Sequence, residues 1–298
     1  MYKNVILIAF VSCVFVSCVT DMPVDISDNN LPVVNYIMKN DSIQTLNLTR
    51  SVKVNDYYIF HEIKDAFISL YKENTLIGNF TKDGYSNWTL KYQPEAGSFY
   101  MLKIVTSEGE ELTATTTMPE LLAISQQSDI DTYPSKNFIQ TSAGSPCWTF
   151  IITSDRMLFE KSRPNDNDNF KEEIGTNHPL ADQFNVQGNL LSFLPTADTP
   201  DFLFYIRIKK DSTLNKTNAV SFKLQTNYSI HTFVCFSTCS AEYDNYLKTS
   251  FQKILMRLDP SDPLIWFDET KVYSNVSNGV GIFGACSNQF FNYNDNVN

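Results

Sequence analysis

Histidine is scarce in this 298-residue chain: His61, His178 and His231 stand alone, far apart in sequence. None belongs to an HExxH run or a comparable ligand spacing, so no metal site of that kind is expected. No Gly-x-Ser-x-Gly elbow occurs, which removes the usual mark of an α/β-hydrolase nucleophile. Basic residues are outnumbered, 23 Lys and Arg against 33 Asp and Glu, giving a formal charge of −10. An acidic surface repels phosphate backbones, and Lys209-Lys210 is the most obvious basic cluster, so nucleic acid is excluded as a partner. The longest apolar stretch, Val5 to Val16 and interrupted only at Ser12, falls short of the ~20 residues a membrane-spanning helix needs.

What is present is a globular composition, 43% hydrophobic and only 19% charged. Aromatics are abundant, with 22 Phe and 15 Tyr, and such residues favour pleated, half-buried surfaces. A mainly β fold is expected.

Residues 1–17 have the layout of a signal peptide: Lys3, the apolar run, then small Ser17 before Cys18. Phe15-Val16-Ser17-Cys18 resembles a lipobox. The Cys18 thiol would take a diacylglycerol and the freed amine another acyl chain, and two or more chains anchor stably where one does not. Phe10-Val11-Ser12-Cys13 repeats the letters, but cleavage there leaves a very short apolar core. Ordinary secretory cleavage without lipidation is the alternative. Residues 18–30 form a polar tether, kept extended by Asp21, Asp25, Asp28 and Pro23. In some bacteria an acidic stretch here marks surface lipoproteins; a plain linker looks similar.

Cys147, Cys235, Cys239 and Cys286 remain in the mature chain. They permit two disulfides in three connectivities, or buried free thiols with one bridge at most. Metal binding at Cys235-x3-Cys239 lacks a matching His pair.

Short alternating segments follow one another from Leu31: Val33–Met38, Gln44–Ser51, Ala66–Tyr71, Leu76-Ile77, Trp88–Tyr92, Phe99–Val105 and Thr113–Thr117. Turn signals separate them at Lys82-Asp83-Gly84, Pro94–Gly97 and Glu108-Gly109-Glu110. Such spacing predicts an immunoglobulin-like β-sandwich over 31–118. A second antiparallel β-rich domain is expected over 119–298, with strands at Cys147–Thr153, Leu191–Phe193, Phe202–Lys209, Val220–Leu224 and His231–Ser237. Arg156 to Asn189 is polar and reads as an exposed excursion suited to ligand or partner contact. Tyr243, Tyr246, Leu247, Phe251, Ile254, Leu255 and Leu258 recur at helical spacing. They predict one amphipathic helix over 241–257, capped by Ser240 and packed on a sheet.

The tail, Val272-Tyr273-Ser274-Asn275 through Gly279-Val280-Gly281-Ile282-Phe283-Gly284-Ala285, resembles the closing signature of Bacteroidota lipoproteins grouped as domain of unknown function 4249. Leu31-Pro32-Val33-Val34-Asn35 resembles that family's first strand, Thr116–Pro119 its mid-chain marker, and Glu242–Leu247 its Tyr-rich helix. Tyr36, where Gly is more typical, and Cys286 depart from the pattern. The family often lies beside TonB-dependent transporters. The resemblance therefore implies an outer-membrane, surface-exposed accessory or ligand-binding lipoprotein, taking a small ligand or glycan, with neither catalysis nor a cofactor. A structural or adhesive surface protein is the alternative, and a surface hydrolase a second.

Gly279-x-Gly281-x-x-Gly284 matches the letters of a dinucleotide fingerprint, but too few residues follow for the helix and acid that motif requires. Glycines there permit close backbone approach, with Phe283 as buried anchor. The Asn165–Asn169 run lacks the Gly and Glu of a calcium loop, having Phe170 and Thr176 instead. Asp41-Ser42-Ile43 and Asp211-Ser212-Thr213 resemble O-glycosylation sites of exported proteins, with Ser42 and Ser212 as acceptors.

Overall fold

The computed structural model describes residues 30–52, 60–127, 135–153, 174–182, 205–215, 217–226, 232–258 and 271–292. The leader, Cys18, most of the tether, the Asn165–Asn169 run, the Leu191–Phe193 segment, His231 and most of the 156–189 excursion lie outside the described residues.

Period-two alternation makes the first strands. They are β1 (Pro32–Lys39), β2 (Ile43–Arg50), β3 (His61–Glu62), β4 (Ala66–Lys72), β5 (Thr75–Asn79), β6 (Thr81–Lys82), β7 (Asn87–Lys91), β8 (Phe99–Thr106) and β9 (Glu111–Thr117). On β1, every second residue (Val34, Tyr36, Met38) is fully buried; Leu46 and Leu48 do the same on β2. They face Ile68 and Leu70 of β4, Leu102 and Ile104 of β8, and Leu112 of β9 in one core. Strands β5-β4-β8-β9 make a separate sheet, while β1, β2, β7 and β6 belong to a larger one. The β4–β5 hairpin turns on Glu73 and Asn74, both at positive φ (46° and 69°), the geometry that suits the right-handed twist of its strands.

The remaining elements are β10 (Ile124–Gln126), β11 (Ser135–Gln140), β12 (Cys147–Thr153), β13 (Ile174–Thr176), β14 (Ala181–Asp182), β15 (Tyr205–Ile208), β16 (Val220–Thr226), β17 (Thr232–Cys239), helix α1 (Ala241–Leu258) and β18 (Val280–Asn292). Strands β10-β11-β16-β13 form a third sheet. It packs on β12, β15 and β17 around Phe138, Phe222 and Phe236, whose rings meet edge-on or stacked at centroid separations of 5.3 to 6.4 Å. The protein is mainly β, with a single helix near the C-terminal end of the described residues.

One strand joins the two cores. The large sheet runs β14-β15-β12-β17-β18-β1-β2-β7-β6. Residues Val280–Cys286 of β18 lie parallel to β1, and residues Cys286–Asn292 lie antiparallel to β17. Phe283 and Ala285 enter the first core and Phe291 packs on the second. A boundary at Met118-Pro119 therefore separates sequence but not sheet: the tail of the second region is built into the first.

His178 is buried against the second core, with its ring edge-on to Phe222 at 4.5 Å. Its Nδ1 accepts the Leu180 N–H at 3.0 Å and its Nε2 meets Gln140 Oε1 at 2.8 Å. Both contacts suit the neutral ring, with the proton on Nε2. Burial lowers its pKa to about 4. The unfolded chain takes up this proton near the ordinary value of ~6.5, the folded chain only below about 4. Stability is thus full above pH ~7, falls as pH drops through that window, and loses at most about 3 kcal/mol from this group. Urea midpoints measured from pH 7 to pH 4.5 are expected to fall more steeply in the natural protein than in His178→Asn.

Candidate functional site

Among the described residues, backbone and side-chain constraints converge where β18, helix α1 and the 273–278 segment meet. The first half of β18 has β1 on one side, but β17 pairs only with its second half. Its free backbone groups must still find partners. Asn275 serves as a surrogate strand: its Oδ1 accepts the Phe283 N–H at 2.9 Å, and its Nδ2 donates to the Phe283 carbonyl at 2.8 Å and to Thr115 O at 3.0 Å. Ser274 Oγ accepts the Gly281 N–H at 3.1 Å. Ser240 completes the edge, its Oγ accepting the Ala285 N–H at 3.2 Å and its own N–H donating to Ala285 O at 2.9 Å. The tail's aromatic–Ser–Asn motif is in this way the hydrogen-bond complement of its Gly-rich half.

Glycine is required here by contact. Gly281 has φ +117°, and a Cβ on it would fall 1.9 Å from the Val34 carbonyl oxygen. A Cβ on Gly284 would lie 2.7 Å from Tyr243 Cβ, so helix α1 could not approach the strand. Gly279 is similarly hemmed by Leu112 and the Pro32 carbonyl. Phe283 is fully buried and stacks on Tyr36 at 5.0 Å with planes 10° apart. The Tyr36 ring is thus the platform for the tail's anchor.

Helix α1 begins where Ser240 Oγ accepts the Tyr243 N–H at 3.2 Å, an N-cap, with Glu242 and Asp244 in the first turn. Asp244 lies on the buried face beside Tyr243 and Leu247. One oxygen accepts from Trp148 Nε1 at 2.9 Å and Arg207 Nε at 2.7 Å; the other accepts from Arg207 Nη2 at 2.8 Å. Lys248 adds an ion pair at 3.3 Å. Burial works to raise the Asp244 carboxyl, but Arg207, Trp148 and Lys248 outweigh it and hold the pKa below its ordinary value. Arg207 also pairs with Asp182 at 2.6 Å. This charge cluster ties β12, β14 and β15 to the helix.

A second cluster fixes the start of the fold. Arg50, buried on β2, donates to Asn30 O at 2.8 Å and to Glu110 Oε1 at 3.0 Å, and pairs with Glu108 at 2.7 Å. Its hydrogen bond to Glu110 lowers that carboxyl's pKa. Neither cluster leaves an acid unpartnered beside a nucleophile. Among the described residues no group of three or more His, Cys, Asp or Glu is placed to hold a metal ion.

Residues 19–290 match the family described as a domain of unknown function (DUF4249). The chain belongs to the DUF4249 family. No curated protein matches it.

The residues singled out in this DUF4249 sequence separate into three groups. Gly279, Gly281, Phe283 and Gly284 converge on the tail junction. Ser42 and Ser212 are exposed, each at a turn; Asp211 beside the latter accepts from the Thr213 N–H and hydroxyl at 2.8 and 2.7 Å. Cys147, Cys235, Cys239 and Cys286 are all buried and carry free thiols in the structure. Cys147 belongs to the second core and lies opposite Thr238, whereas Cys235 lies opposite Phe150 and Phe290 on the other face of β17. Arg207 and Trp148 were invisible as partners of Asp244 in sequence, although an acid on an apolar helical stripe signals a buried cation.

Gly281→Ala is expected to cost at least about 3 kcal/mol, from positive φ and backbone overlap together. Asp244→Asn leaves the Arg207 charge undercompensated and should cost about 3 kcal/mol. Ser42→Ala should stay within about 0.5 kcal/mol. Urea unfolding followed by tryptophan fluorescence measures all three.

Proposed function

We propose that this DUF4249 chain is an outer-membrane lipoprotein, acylated at Cys18 and displayed at the cell surface. There it acts as a non-catalytic accessory or ligand-binding partner of a TonB-dependent nutrient transporter. The observation that carries the anchor is a coincidence of boundaries: the family match begins at residue 19, directly after the cysteine that ends the apolar leader. A shared region that starts there agrees with a leader removed at Cys18. The Arg50 clamp on Asn30 supports the same reading, because it fixes the point where a tether would leave the folded body.

The non-catalytic reading is supported by how the described polar side chains are used. Asp244, Arg50 and His178 have their hydrogen-bonding capacity turned inward, onto the fold. Strand order supports the immunoglobulin-like reading of the first region: β1, β2 and β7 share one sheet and β4, β8 and β9 the other, the positions of strands A, B, E and C, F, G in that architecture. Such sandwiches serve widely as binding modules, and the ligand expected here is a small molecule or glycan.

Cys18→Ala is expected to release the protein from membranes and to abolish labelling by a fatty-acid analogue; continued membrane retention would remove the anchor. Mild-detergent purification of the natural protein should co-purify a large outer-membrane β-barrel, and its repeated absence would count against the transporter partnership.

A further inference from the structure

Three of the four buried cysteines share the face of the large sheet that helix α1 covers, and two of them sit directly opposite one another. Cys239 ends β17 and Cys286 stands at the point where β18 changes partners; they are register partners in the antiparallel ladder. The hydrogen bonds show which kind of pair they are. The Cys239 N–H donates away from β18, to Pro146 O at 2.8 Å, while the next residue, Ser240, donates to Ala285 O at 2.9 Å. Cys239 and Cys286 therefore occupy a non-hydrogen-bonded site, where opposite Cα atoms are ~4.5 Å apart and side chains approach most closely. That separation falls inside the ~4.4–6.8 Å window that a disulfide spans. Both residues pack in one cluster with Trp148 and Leu247.

We infer that Cys239 and Cys286 are a disulfide-forming pair whose bond staples the tail strand to β17 at the junction of the two cores. Cys235 is excluded as a partner because its opposite residue is Phe290, four positions along β18 from Cys286. Cys147 is excluded because it lies opposite Thr238 and packs in the core on the other face. In the structure the Cys239 Sγ contacts the Ser237 carbonyl at 3.3 Å; the linked form requires it to turn from that carbonyl toward Cys286.

The oxidant is a disulfide of small-molecule or exported-oxidoreductase type. One cysteine thiolate attacks it, forming a mixed disulfide and releasing one thiol of the oxidant. The second cysteine then displaces the other thiol, so two protein thiols become one disulfide and the oxidant becomes two thiols. Burial pushes both cysteines above the ordinary thiol pKa in the folded state. The exchange therefore belongs to folding, before α1 seals the pair.

The test is to refold the reduced protein from denaturant in a mixture of oxidised and reduced glutathione, block free thiols, and map peptides without reductant. The expected product links the peptide holding Cys239 to the peptide holding Cys286, with a mass lower by two hydrogen atoms, and dithiothreitol abolishes it. Cys235→Ser should keep the link and Cys239→Ser should lose it. In the mature chain with Cys18 acylated, the double variant Cys147→Ser with Cys235→Ser leaves only the proposed pair of thiols and should still form the link. Quantitative alkylation of all four thiols, or a link through Cys147 or Cys235, would overturn the assignment.

Discussion

Backbone contact between Gly281 and the Val34 carbonyl governs how the rest of this protein can be assembled. With no Cβ in the way, β18 lies parallel to β1 at full sheet spacing, and the positive φ at Gly281 is free of steric cost. Only from that position can the same strand continue past Cys286 and pair antiparallel with β17. The two cores then share one sheet, and the helix and its charge cluster have a continuous surface to cover. A side chain at this single position would force β18 away from β1, and both halves would gain an open edge.

Strands were legible in the sequence wherever one face is buried, because burial on one side imposes alternation. Val34, Tyr36 and Met38 on β1 and Leu112 and Ala114 on β9 show it plainly. Helix α1 was legible for the same reason at a different period, and its observed span, Ala241–Leu258, ends one residue beyond the expected one. What periodicity does not carry is which strand pairs with which. The tail's glycines announced a close approach, but nothing local to Gly279–Ala285 says that the approach is to β1. The same limit hid the junction's polar members: Arg207, Trp148 and Asp244 are brought together by a sheet and a helix from three distant parts of the chain.

The described interior places its polar side chains at defined positions. Ser240, Ser274 and Asn275 give up their side-chain hydrogen bonds to one strand edge. Asp244 and Arg207 bring a charge pair into a partly dry setting, where breaking it costs more than forming it gains. Interactions of this type select one register and one docking angle for the helix. The precision of the fold is spent on holding two β units at a fixed relation.

The pairing of β1 with β18 also has a temporal side. During synthesis the edge of β1 emerges first and its parallel neighbour only about 250 residues later, a separation that makes contact formation slow. Throughout that interval the nascent chain cannot close its central sheet, whatever its local hairpins achieve. A polypeptide whose completion is postponed in this manner keeps its central seam open until nearly the whole sequence has been made.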